Sequence, residues 1–263
     1  MLGKLLKYDL KWIYKTIVIY YILAIFFSCV GRVLNLVQNS VLFSILTIIS
    51  FNIAIAMMIG SLINCILRSW IRFVHNIYKD EAYLTHTLPI PKKTIYASKI
   101  LSSIIATTIS IIVIVGCIFI CYYSEANLEV IKSTLSIAAS TYNTTVVNLL
   151  LLVSLVFLLE VLFVIFIGFV GIILGHKYNK NKISRSIIIS FALYIATQVL
   201  TLALIFIIGL FNPAIMNLIN TTESLDANII KDLMYISILI YAVYIVFYYW
   251  LGKHQFEKGV NLE

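Results

Sequence analysis

The chain has 263 residues, of which 62% are hydrophobic and only 11% charged, with a formal net charge of +8. A soluble domain carries about 25% charged residues, and a chain this short cannot hide such an apolar excess from water. An ordinary soluble enzyme or binding domain is thereby excluded. The apolar runs are continuous and long enough to cross a bilayer as helices; the short alternating segments of a β-barrel are not what is seen.

Residues 1–15 read as an amphipathic interfacial helix. Lys4, Lys7, Lys11 and Lys15 fall on one face, and Leu2, Leu5, Leu6, Leu10, Trp12 and Ile13 on the other. Such a helix lies in the headgroup plane, with the lysines and Trp12 as anchors. Asp9 interrupts the apolar face. A carboxylate aimed at lipid is costly, so Asp9 is expected to meet a basic or polar group at the ends of the spans. The charged stretch is fifteen residues long and no small-residue cleavage site follows the apolar run, so it does not read as a signal peptide.

Six spans follow, at 16–34, 41–66, 100–122, 146–174, 186–210 and 234–251, forming one membrane domain over 1–263. The expected fold class is all-α, polytopic. Sixteen basic residues fall before span one, in the second and fourth connections and after span six; three (Arg32, Lys132, Lys231) fall on the other side. That bias puts both termini in the cytosol. Basic residues that flank spans face lipid rather than nucleic acid. The two longer outer loops, 123–145 and 211–232, are acidic and could hold short capping helices. They include Asn143-Thr144-Thr145 and Asn220-Thr221-Thr222, read as plain polar loop despite matching a glycosylation pattern. Cys29, Cys65, Cys117 and Cys121 have no zinc or redox spacing and read as small buried apolar residues.

Catalytic patterns are missing from the sequence. There is no Walker A loop, no nucleophile elbow, and none of His75, His86, His176 or His254 stands at metal-ligand spacing. No catalytic residue, metal or cofactor is assigned to this chain. One ionisable side chain, Glu160, lies near the middle of span four, with Asn52 in span two and Gln198 in span five at similar depth. No Lys or Arg occurs centrally in any span. Two roles stay open. Glu160, Asn52 and Gln198 could line a translocation pathway, or Glu160 could be a protonated carboxyl that ties helices together through Asn52, Gln198 or a backbone carbonyl. Gly168, Gly171 and Gly175 form a small-residue strip expected at a close helix contact.

The most specific segment is the basic connection between spans two and three. It reads Lys79-Asp80-Glu81-Ala82-Tyr83-Leu84-Thr85-His86-Thr87-Leu88-Pro89-Ile90-Pro91-Lys92-Lys93. Asp80 and Glu81 suit a helix start, and Pro89 and Pro91 stop that helix after about two turns. Pro91 can then open the helix leading into span three. The short helix offers Tyr83, Leu84, Thr87 and Leu88 on one semi-apolar face, suited to docking on a cytosolic partner.

In this order of parts the chain resembles the permease subunit of a type-2 ABC exporter. It has an N-terminal elbow helix, a Lys-Asp-Glu-x-x-Leu-x-x-x-Leu-Pro loop after span two, and a short basic tail. Ala82 stands where the family often has Gly. The resemblance implies a coupling helix seated in a cytosolic ABC ATPase, a role that falls on Asp80, Glu81, Tyr83, Leu84, Thr87 and Leu88. It also implies a second permease subunit, identical or paralogous, with ATP and Mg on the ATPase partner. The residue usage suggests a low-GC bacterium and its cell membrane. The apolar interior favours a lipid-like, drug-like or amphipathic peptide cargo. The alternative reading is a self-sufficient secondary carrier or substrate-capturing module that uses Glu160.

Overall fold

A computed structural model of the protein describes residues 1–37, 40–79, 81–212, 215–216 and 227–259. Among the described residues the regular structure is helical throughout. The helices are α1 (Leu2–Leu36), α2 (Val41–Ile77), α3 (Ala82–Thr87), α4 (Lys92–Tyr122), α5 (Glu125–Thr141), α6 (Val146–Gly175), α7 (Lys182–Phe211) and α8 (Ala227–Glu257). Six of them, all but α3 and α5, are long and apolar enough to cross a membrane, and the protein is a multi-pass membrane protein on that evidence. Each of the six expected spans lies inside one of these helices. The segment 123–145 holds α5, which is largely exposed with Ala139 its one buried residue. The tripeptide at 220–222 lies outside the described residues, as do Glu223 and Asp226.

The chain divides into two compact units, Met1–Glu129 and Val130–Gly259. In the first, α1, α2 and α4 pack on one another. The contact face of α1 is the stripe Asp9, Ile13, Ile17, Tyr21, Ala24, Ser28 and Gly31. That of α2 includes Ser50, Ala54, Met58, Ser61, Cys65, Ser69 and Arg72. Steps of three and four residues keep each stripe on one side of its helix. Small residues let the backbones approach where lipid supplies no hydrophobic drive. Their hydroxyls bond back to their own helices, as Ser69 does to the Cys65 carbonyl and Ser110 to that of Ala106. Tyr21 and Ser110 join α1 to α4 at 2.6 Å. Cys65, Cys117 and Cys121 are buried and Cys29 is exposed.

The expected interfacial helix is not a separate element. α1 runs unbroken from Leu2 to Leu36, about 50 Å at 1.5 Å per residue, well beyond a hydrocarbon core of about 30 Å. The reason lies in its buried stripe. Asp9 and Ile13 continue the line of Ile17 and Tyr21, so the first turns stay against α2 and α4. Lys4, Lys7, Lys11 and Lys15 are all exposed on the opposite side.

In the second unit α6 packs against both α7 and α8. From Val161 to Gly175 it is buried nearly all round. Its contact with α7 is close at Gly171 and Gly175, which face Ser190 and Ser186, so the glycine strip serves helix packing at these two positions. His176, also buried, ends α6; its Nδ1 lies 2.8 Å from the Ile172 carbonyl oxygen and must carry the proton. Asn181 turns the chain into α7 at φ 53°, a left-handed conformation that Asn tolerates.

Candidate functional site

The charged junction of the first unit is built where α1, α2, α3 and α4 meet. Asp9 from α1 is 2% exposed. One of its carboxylate oxygens accepts from Arg72 Nε of α2 at 3.0 Å and from Lys99 Nζ of α4 at 2.6 Å. The other accepts from Ser98 Oγ at 3.0 Å. The expected basic partner of Asp9 is thus two cations and a hydroxyl. Arg72 also donates through Nη1 to Glu81 Oε2 at 2.6 Å, and Asn76 Nδ2 donates to the same oxygen at 3.0 Å. Two carboxylates and two cations make the cluster neutral. Each buried charge has a partner, which is the condition for leaving water without a large penalty.

Trp12 belongs to this junction. The guanidinium carbons of Arg68 and Arg72 lie 5.2 and 5.6 Å from its ring centroid. The half-buried ring faces the cations of α2 instead of standing free as an anchor, because a cation over an indole face gains more than the ring would gain from contact alone.

The junction carries α3. Glu81 caps this helix and its carbonyl accepts from Thr85 N at 3.0 Å and from Thr85 Oγ1 at 3.0 Å. His86 Nε2 lies 3.2 Å from the Ile77 carbonyl oxygen at the end of α2. Ala82 and Thr85 are buried, whereas Tyr83, Leu84 and Leu88 are 65%, 73% and 43% exposed. Thr87 is exposed beside them and its hydroxyl returns to the Leu84 carbonyl. Four of the expected docking residues therefore share the outer face. Glu81 does not: its carboxylate turns inward, because Arg72 and Asn76 offer it two donors that solvent would have to outbid. Asp80 lies outside the described residues. Pro91 does not enter α4 but precedes it, with ψ 136° and its carbonyl accepting from Thr94 N and Ile95 N.

Partial burial raises the Glu81 pKa, but the hydrogen bond from Asn76 and the charge and hydrogen bond of Arg72 outweigh it and hold the carboxyl below its ordinary 4.5. A carboxyl with a lowered folded pKa stabilises the fold above its unfolded pKa, and that contribution is lost as pH falls through the folded value. Wild-type protein is therefore expected to melt above Glu81→Gln by a constant margin at neutral pH. That margin should close as pH drops below the ordinary carboxylate range. Thermal unfolding of the two proteins across pH checks this; a margin that persists in acid rules out the charge at Glu81 as its source.

Of the pathway candidates, Asn52 lies in the first unit and Glu160 and Gln198 in the second. Asn52 donates to the Ile48 carbonyl of its own helix at 2.9 Å. Glu160, in the second unit, is exposed, and Gln198 is half-buried. Within the second unit no hydrogen bond links Glu160 to Gln198 among the described residues. The neighbours that sequence reasoning missed are Tyr194 and Tyr241, whose rings lie 6.3 and 5.4 Å from that of Phe163, one turn beyond Glu160. A tyrosine one turn before Tyr244 on α8 was the available signal. No group of His, Cys, Asp and Glu among the described residues could hold a metal.

Comparison with known proteins gave no match: no family model, no curated protein and no solved structure.

Proposed function

We propose that the chain is the membrane-spanning permease subunit of an ATP-driven exporter, coupled to a separate cytosolic ATPase through α3. The observation that carries this reading is the construction of α3. A six-residue helix has no stability of its own, yet here it is fixed at one side to α2 through Glu81 and His86 while Tyr83, Leu84 and Leu88 stay uncovered. A rigidly held, apolar face outside the spans suits ridge-into-groove docking. In this reading the basic ends of the helices and both termini face the cytosol, and the first turns of α1 run through the headgroup layer. Two permease subunits, identical or paralogous, enclose the path, and ATP and Mg bind on the ATPase. A push on α3 passes through Glu81 to Arg72 and from there to Asp9 and Lys99, so α1, α2 and α4 move together.

The test is affinity capture of the tagged chain from native membranes, beside a Leu84→Asp, Leu88→Asp variant. A Walker-A ATPase is expected to accompany the wild type and to be lost from the variant, whose folding should be unchanged because both side chains are exposed. Absence of any ATPase from the wild type, under conditions that keep other membrane complexes intact, would falsify the reading. The second reading, a self-sufficient carrier, draws on the exposed Glu160, which joins no ion pair among the described residues. It expects transport to tolerate charge on α3 and to fail on Glu160→Gln.

A further inference from the structure

We propose that Glu160, Tyr194 and Tyr241 form a recognition site for a hydrophobic organic cation. The proposal rests on the transport reading and names its cargo class.

Phe163 of α6 is buried at the centre of four tyrosine rings. Centroid distances are 6.3 Å to Tyr194, 5.4 Å to Tyr241, 5.8 Å to Tyr244 and 6.0 Å to Tyr248. The inner two rings have structural work. Tyr248 and Tyr244 are buried, with hydroxyls 2.6 and 3.1 Å from those of Thr197 and Thr201 of α7. The outer two, Tyr194 and Tyr241, are half-buried at the rim. Glu160 stands one turn before Phe163 on α6 and is exposed. Phe157, a turn earlier, is exposed as well. The rim therefore holds one carboxylate, two tyrosine rings and an aromatic apolar neighbour.

Charge decides what this rim suits. The three ion pairs among the described residues all lie in the first unit, and none uses Glu160. Lys and Arg are absent from 146–175, 186–211 and 232–252, the segments that surround it. A carboxylate at that depth is costly unless a counter-charge meets it. Aromatic faces attract cations through the ring quadrupole. A neutral hydrophobe gains from the rings alone, and an anion is repelled by Glu160. An apolar body bearing one positive charge satisfies the carboxylate, the rings and Phe157 together.

The experiment is equilibrium binding of tetraphenylphosphonium to the full chain in lipid nanodiscs, with tetraphenylborate as the isosteric anion. Saturable binding of the cation is expected, with no competition from the anion. Glu160→Gln should weaken it about tenfold or more, and Glu160→Asp should keep most of it, since the charge is what acts. Tyr241→Leu should weaken binding severalfold and Tyr241→Phe should not, because the attraction of a cation to an aromatic side chain comes from the ring and needs no hydroxyl. Wild-type affinity in a folded Glu160→Gln protein, or anion binding equal to cation binding, overturns the proposal. Should Glu160→Gln fail to fold, equal binding by the two Tyr241 variants overturns it. The readout needs no ATPase, so its failure and a failed capture of the ATPase are separate results.

Discussion

Replacing Asp9 by Ala is expected to destabilise the first unit by about 3–5 kcal/mol, the cost of breaking a buried ion pair from one side. The loss is large because Asp9 serves two cations and a hydroxyl at once. Lys99 is 2% exposed and would lose its one ion-pair partner among the described residues, leaving only the weaker attraction of Glu81. Arg72 would keep Glu81 and the Trp12 ring but lose its ion pair with α1. Asp9→Asn should cost nearly as much, since it preserves shape and one acceptor but removes the charge. The double variant Asp9→Leu, Lys99→Leu should recover much of the loss, because replacing both members of a buried pair by apolar groups is often neutral. Thermal unfolding of the purified chain measures all three. A single variant melting with the wild type would mean that water reaches the junction and that it does not lock the helices.

A second large effect is expected at the α6–α7 contact. A Cβ added at Gly175 would sit 2.5 Å from both Cα and N of Ser186, and one at Gly171 would sit 2.9 Å from Cα of Ser190. Backbone atoms of a packed helix do not swing aside as a side-chain end can. The two helices must separate, and overpacking of this kind costs about 1–3 kcal/mol or more. Gly175→Val should therefore lower the melting temperature strongly, and Gly175→Ala less so. Gly116 provides the contrast. It lies within α4 with nothing within 4 Å of an added Cβ, so Gly116→Ala should be neutral or stabilising by up to about 1 kcal/mol through helix propensity. Equal effects at Gly175 and Gly116 would mean that helix propensity, and not the close approach, sets the cost.

The six long helices were legible in the sequence because their cause is local. An apolar run of sufficient length has to satisfy its own backbone hydrogen bonds in lipid, and a helix does so within the segment. The stop after α3 was legible for the same reason: Pro89 and Pro91 act on their immediate neighbours. That Asp9 needed a partner also followed from the sequence, since a carboxylate among Leu, Trp and Ile cannot stay bare.

What tertiary structure decided lies at long range. Asp9 meets residues 63 and 90 positions away, and no spacing rule selects Arg72 and Lys99 from the other basic residues near the spans. The continuity of α1 depended on α2 and α4 being present to bury its first turns. Glu81 sat beside the docking face by sequence, but two donors on α2 turned it inward. The rings around Phe163 of α6 come from two other helices, α7 and α8. Helical period tells which residues share a face, whereas the helix that covers the face is chosen by packing, where small residues allow approach and buried charge must be paired.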